Sequence, residues 1–135
     1  MKINKTSLYT AILLVYVVVL FCGTVIMRGT HRYCVIHTDL FWGYKVDNPA
    51  IFYRDNLINI LLYIPVGCLV ALIAPKYKWL VATGVGLFLS ETIECSQLIW
   101  HKGTFDVDDL FNNTVGALVG GLIVVTTLWI RKKRK

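Results

Sequence analysis

The sequence predicts an all-α fold: an integral membrane bundle of four transmembrane helices with an interfacial loop after the first helix. Of its 135 residues, 56% are hydrophobic, and the mean hydropathy is +0.62, which is more apolar than one soluble core of this size accommodates. Four windows are long enough to cross a bilayer, which takes about 20 mostly apolar residues. They are residues 8–27, 57–74, 79–100 and 111–130 of a single domain, 1–135.

The first window is expected to be a retained membrane anchor. Its apolar run is longer than the 7–15 residues typical of a signal-peptide core, and no small-residue cleavage site follows it. The outer loop of residues 28–56 then carries a high density of aromatic residues. These are Phe41, Trp42, Tyr44, Phe52 and Tyr53. Aromatic rings favour the membrane–water interface, so the loop is predicted to lie on the outer leaflet.

Basic residues predict the orientation. One side of a four-span arrangement carries Lys2, Lys5, Lys76, Lys78 and the tail 131–135, and the other side carries Arg28, Arg32, Lys45, Arg54 and Lys102. The positive-inside rule therefore puts both termini in the cytoplasm, with the chain in the cell membrane. Topology and contact with anionic membrane lipids explain the net charge of +6, so no nucleic-acid partner is expected.

The second window combines amides with a proline. One face of this helix, which turns gradually around the axis, carries Asn56, Asn59, Tyr63 and Gly67. Pro65 predicts a kink, because proline donates no backbone hydrogen bond. Amides at the outer end of such a helix serve either as links between helices or as part of a site.

The third window carries carboxyl groups inside an otherwise apolar segment. At about 100° per residue, Ser90, Glu94, Gln97 and His101 share one stripe, with Glu91 on its flank. Burying a carboxyl in hydrocarbon costs several kcal/mol, so Glu94 is expected to face protein or water. It lies about 9 Å below the outer end of the helix.

The fourth window begins after an acidic loop. Asp108 and Asp109 lie where the helix starts, which favours a capping role there. Gly116 and Gly120 form a GxxxG spacing. That spacing permits close helix contact and is expected to pack against the second or third helix; it leaves the oligomeric state undetermined.

The outer ends of these helices therefore bring candidate ligand-binding residues together. The predicted set is Asn59, Ser90, Glu94, Gln97, Lys102, Asp106, Asp108, Asp109 and Asn113. Glu94 is expected either to hydrogen-bond to Asn59 or Asn113 or to pair with Lys102 or His101. No metal ion or cofactor is expected, and no catalytic residue is assigned.

Three blocks of the chain resemble the VanZ-like family. They are Asn59 with residues 63–67, residues 90–97, and residues 105–110 with 113–117 and Gly120. The likeness runs from about residue 37 to residue 125. It implies a small multi-span bacterial envelope protein, in a family whose namesake is associated with low-level resistance to the glycopeptide teicoplanin.

The chain departs from the family pattern twice. Lys102 and Gly103 stand where the family usually has Gly-Arg, and Glu91 stands at a position that is usually apolar. Three functions remain open. In the first, the chain binds a lipid-linked or amphiphilic ligand, such as a lipoglycopeptide or a cell-wall precursor. In the second, it is a membrane-embedded enzyme acting on a lipid or precursor, with Glu94 as general base and Asp106, Asp108 or Asp109 as a second acid or as metal ligands. In the third, its polar residues only lock the helix packing.

Overall fold

A computed structural model describes residues 4–30, 35–41 and 49–134. The described chain is mostly helical, which confirms the all-α prediction. The helices are α1 (Lys5–Phe21), α2 (Pro49–Ile73), α3 (Lys78–Ile99) and α4 (Val107–Lys133), and α1 continues into a π-helical turn, Cys22–Ile26. Two short strands, β1 (Ile36–His37) and β2 (Phe105–Asp106), pair in parallel.

Three of the described helical segments are long and apolar enough to cross a membrane: Lys5–Ile26, Tyr53–Ile73 and Val107–Lys133. They indicate a multi-pass membrane protein. The 22 residues of α3 span about 33 Å, which is long enough for a bilayer core. However, the polar residues near its C-terminal end lower its hydropathy, so a fourth span stays a prediction.

Two predicted boundaries are wrong. α2 begins at Pro49, so the predicted loop 28–56 is helical at its end; proline suits a helix start because the first N–H groups have no partner within the helix. α4 begins at Val107, where the Asp106 carboxylate accepts a hydrogen bond from Asp108 N at 2.8 Å. Residues 42–48 lie outside the described part of the chain, so the interfacial loop itself stays a prediction.

The closest helix contact is between α2 and α4, which run parallel. A Cβ on Gly116 would meet the carbonyl oxygen of Ile60, and a Cβ on Gly120 would meet that of Ile64. Gly67 faces the backbone of Ala117 in return. The predicted role of the GxxxG spacing in packing against the second helix is confirmed. The helix α2 continues through Pro65.

The helix α1 lies on the outside of the bundle. Tyr16 Oη donates a hydrogen bond to the Leu62 carbonyl of α2 at 2.8 Å, while Leu14, Val15 and Val18 are more than half exposed. These outward apolar side chains suit contact with lipid.

Candidate functional site

A network of polar side chains lies at the end of the bundle where α1 and α3 end and α2 and α4 begin. We call it the polar network; its members are Arg28, Asn59, Ser90, Glu94, Gln97, Lys102, Asp106, Asp108, Asp109 and Asn113. Several members are deeply buried: Ser90 is 0% exposed, Asp108 1%, and Glu94 and Gln97 2% each. Buried polar groups of this kind require hydrogen-bond partners.

Glu94 links α3 to the start of α4. Its Oε2 accepts a hydrogen bond from the backbone N–H of Asp106 at 3.0 Å, and that N–H precedes the first turn of α4. A carboxylate at a helix N-terminus interacts favourably with the helix dipole. Glu94 also experiences repulsion from Asp109 and attraction from Arg28. The expected convergence of Glu94 with the acidic loop is therefore found in the structure.

The two asparagines have partners other than Glu94. Asn59 Nδ2 donates to Asp109 Oδ1, and Asn113 Nδ2 donates to Ser90 Oγ at 2.9 Å. The predicted bond from Glu94 to Asn59 or Asn113 is therefore wrong. The reason is the level of each residue along its helix: Asn113 lies opposite Ser90, one turn deeper than Glu94.

Gln97 links α3 to the end of the first helical segment. Its Oε1 accepts from Arg28 Nη1 at 3.0 Å, and its Nε2 donates to the Thr24 carbonyl at 3.2 Å. Gly103 packs against this pair, since a Cβ there would lie 2.8 Å from Gln97 Oε1 and 2.9 Å from Arg28 Nη1. A side chain at position 103 would therefore displace the ends of Gln97 and Arg28.

Neither of the two residues predicted to pair with Glu94, Lys102 and His101, is placed as expected. Lys102 Nζ donates to the Arg28 carbonyl at 3.1 Å. His101 is not on the helical stripe, because α3 ends at Ile99 and His101 has a left-handed backbone with φ 54°. The cation that acts on both Glu94 and Asp109 is Arg28, which sequence reasoning used only to assign orientation. Arg28 directly follows the first apolar window, and this position at the outer end of a span could have indicated that it lies near the acidic residues.

An aromatic rim adjoins the acidic end of α4. Asp108 Oδ1 accepts a hydrogen bond from the backbone N–H of Phe41, which holds the segment 35–41 against the helix. The rings of Phe41 and Phe111 pack edge to face with centroids 5.7 Å apart, and both side chains are more than 40% exposed. Sequence reasoning also missed Asn112, whose Nδ2 donates to Asn56 Oδ1 at 2.8 Å.

Tyr63 lies beside the polar network: it is 2% exposed, and it interacts with Ser90 through a side-chain hydrogen bond and with Glu94 and Asp109 electrostatically. Asn113 Oδ1 is buried in the network and has no hydrogen bond within the described residues. Leaving such an atom unpaired costs about 1–3 kcal/mol. The described residues contain no group of three or more His, Cys, Asp or Glu side chains arranged to hold a metal ion.

We expect Arg28→Ala to lower the free energy of unfolding by about 1.5–3 kcal/mol, because the buried Gln97 loses a charged donor. Arg54→Ala is the matched control. Arg54 pairs with Asp55 at 3.0 Å, but both side chains are more than half exposed, so its loss should cost less than about 1 kcal/mol. Thermal or denaturant unfolding in detergent measures both; equal losses would show that Arg28 does not stabilise the network.

Two comparisons with known proteins found matches to this chain. The sequence model of the VanZ/LLP1 family matches residues 7–130. "Protein VanZ" of Enterococcus faecium is 32% identical to this chain over 68 residues, which make up 50% of this chain and 42% of that protein. The match thus spans less than half the length of that relative. No solved structure matches the chain.

Proposed function

Because this chain belongs to the VanZ/LLP1 family, we propose that it is a cell-envelope membrane protein that binds an amphiphilic ligand at the polar network. The ligand class is a lipid-linked cell-wall precursor or a lipoglycopeptide. By binding such a molecule the protein contributes to tolerance of glycopeptides such as teicoplanin, the property associated with the namesake of the family.

The proposal includes an orientation. The chain lies in the cytoplasmic membrane with both termini on the cytoplasmic side, as the excess of Lys and Arg at that end favours. The polar network then lies in the outer leaflet. A site in the outer leaflet is accessible to glycopeptides and to cell-wall precursors on the outer side of the membrane.

The observation that carries the proposal is the buried Asn113 Oδ1, which has no hydrogen bond within the described residues. This amide oxygen supplies an acceptor for a polar headgroup. The exposed rings of Phe41 and Phe111 lie beside the acidic end of the same network. An amphiphile bound there would place its headgroup at the polar network and its apolar part on these rings, the combination that ligand sites typically use.

A structural role is the second candidate, and the burial of the network favours it. Ser90, Glu94 and Gln97 are at most 2% exposed, and hydrogen bonds between membrane helices commonly fix their packing. Under this alternative the network locks α3 against α1 and α4 and binds nothing.

Glu94→Gln separates the two candidates. Glutamine keeps an oxygen that accepts from Asp106 N, so the melting temperature in detergent should stay close to that of the wild type. Replacing the carboxyl group by an amide changes the hydrogen bonds that the network can offer to a ligand, so ligand binding should weaken by about tenfold, or about 1.4 kcal/mol. Teicoplanin tolerance of cells producing the variant should fall with it.

The exposed Glu91 provides the matched control, because Glu91→Gln makes the same change from carboxyl to amide on the same helix outside the network. Binding is measured by titrating the purified protein with teicoplanin or with a lipid-linked precursor, after insertion in the membrane has been verified. A lower melting temperature for Glu94→Gln with unchanged binding and tolerance would instead establish the structural role.

A further inference from the structure

An apolar cavity of about 540 Å³ lies at the opposite end of the bundle from the polar network. It is formed between three helices and the turn that joins two of them. Its lining includes Leu13 of α1, Val70 and Ile73 of α2, Val81 and Val85 of α3, and Lys76 of the turn. Cavities of about 300–1,000 Å³ typically hold one small molecule. Because its walls belong to helices that meet lipid, its natural occupant is a hydrocarbon chain.

One cation at this cavity is available to a ligand. Lys76 is exposed, and no described residue accepts a hydrogen bond from it. Lys78 differs, because its Nζ donates to the carbonyl of Ala71 at 3.0 Å and to that of Ala74, so it closes the last turn of α2. The ammonium group of Lys76 therefore remains free to pair with an anion.

The surroundings of Lys76 match the headgroup region of a membrane. Tyr77 is 75% exposed and Trp79 is 45% exposed, and such rings favour the membrane interface. Because α4 runs parallel to α2, its basic last turn lies at the same end, where Lys133 Nζ stacks on the Trp129 ring at 3.8 Å. Positive charge at this level attracts anionic lipid headgroups.

We propose that this cavity binds one anionic phospholipid. One acyl chain fills the space between α1, α2 and α3, and the phosphate of the headgroup pairs with Lys76 Nζ. The site does not depend on the function proposed above, since it shares no residue with the polar network. Failure of either proposal therefore leaves the other unaffected.

Native mass spectrometry of the full chain in mild detergent tests the proposal, with dioleoyl phosphatidylglycerol and dioleoyl phosphatidylcholine as probes. Both lipids have the same chains, so the difference in affinity reports the headgroup. The wild type should bind the first phosphatidylglycerol about fivefold more tightly, as expected for one lysine near the membrane surface. Lys76→Gln should remove this preference. Lys5→Gln, at an exposed lysine near the same end, should keep it.

A second pair of variants tests the cavity itself. Val81→Trp fills the space and should abolish the first bound lipid of either kind, while Val18→Trp, at a 61% exposed position of α1, should not. Because Lys76 is exposed, its variant remains informative even if Val81→Trp fails to fold. Equal affinity of the wild type for both lipids, or an unchanged first lipid in folded Val81→Trp, would overturn the proposal.

Discussion

Gly116→Ala is expected to lower the free energy of unfolding by about 1–3 kcal/mol, the usual cost of overpacking a close contact. The new Cβ would meet the Ile60 carbonyl oxygen and would lie 2.9 Å from the Tyr63 Cβ. The Ile60 oxygen belongs to the backbone of α2 and has no room to move aside. The two helices must therefore separate. This separation also weakens the Asn59–Asp109 hydrogen bond, which joins the same two helices nearer their N-terminal ends.

Gly84→Ala is the matched control for this substitution. Gly84 also lies inside a helix, α3, but a Cβ there would meet nothing within 4 Å. Since alanine favours a helix by about 1 kcal/mol relative to glycine, this variant should be as stable as the wild type or more so. Unfolding in detergent with increasing denaturant measures both proteins. Equal stability of the two variants would contradict the close contact between α2 and α4.

Glu94→Ala is expected to lower the free energy of unfolding by about 2–3 kcal/mol. The substitution leaves the half-buried Asp106 N–H without its side-chain acceptor, which costs about 1–3 kcal/mol, and opens a void at the buried Glu94 position. Relief of the repulsion between Glu94 and Asp109 offsets part of this loss. The net effect remains destabilising, because the void left at the 2% exposed Glu94 position stays buried.

Glu91→Ala isolates the effect of burial. Glu91 lies three residues earlier on the same helix and is exposed, so its removal should change stability by no more than about 0.5 kcal/mol. Denaturant unfolding of the two alanine variants under identical conditions provides the comparison. If Glu94→Ala proved as stable as Glu91→Ala, Glu94 would not be a packing partner of α4.

The apolar windows by themselves predicted the fold class and the approximate position of every helix. The 3.6-residue period placed Ser90, Glu94 and Gln97 on one stripe, and the structure buries all three. The glycine spacing in α4 also predicted a close helix contact. These features follow from local periodicity and residue size, which a sequence expresses directly.

Only the tertiary structure decided which polar groups meet. The level of α4 relative to α3 pairs Asn113 with Ser90 and leaves Glu94 to the backbone of Asp106. The π-helical turn after α1 precedes Arg28, whose guanidinium reaches Gln97. A sequence specifies which residues share a face of one helix, but partners across helices depend on axial offset and approach distance. Both are set by the packing of whole helices, here by the glycines between α2 and α4.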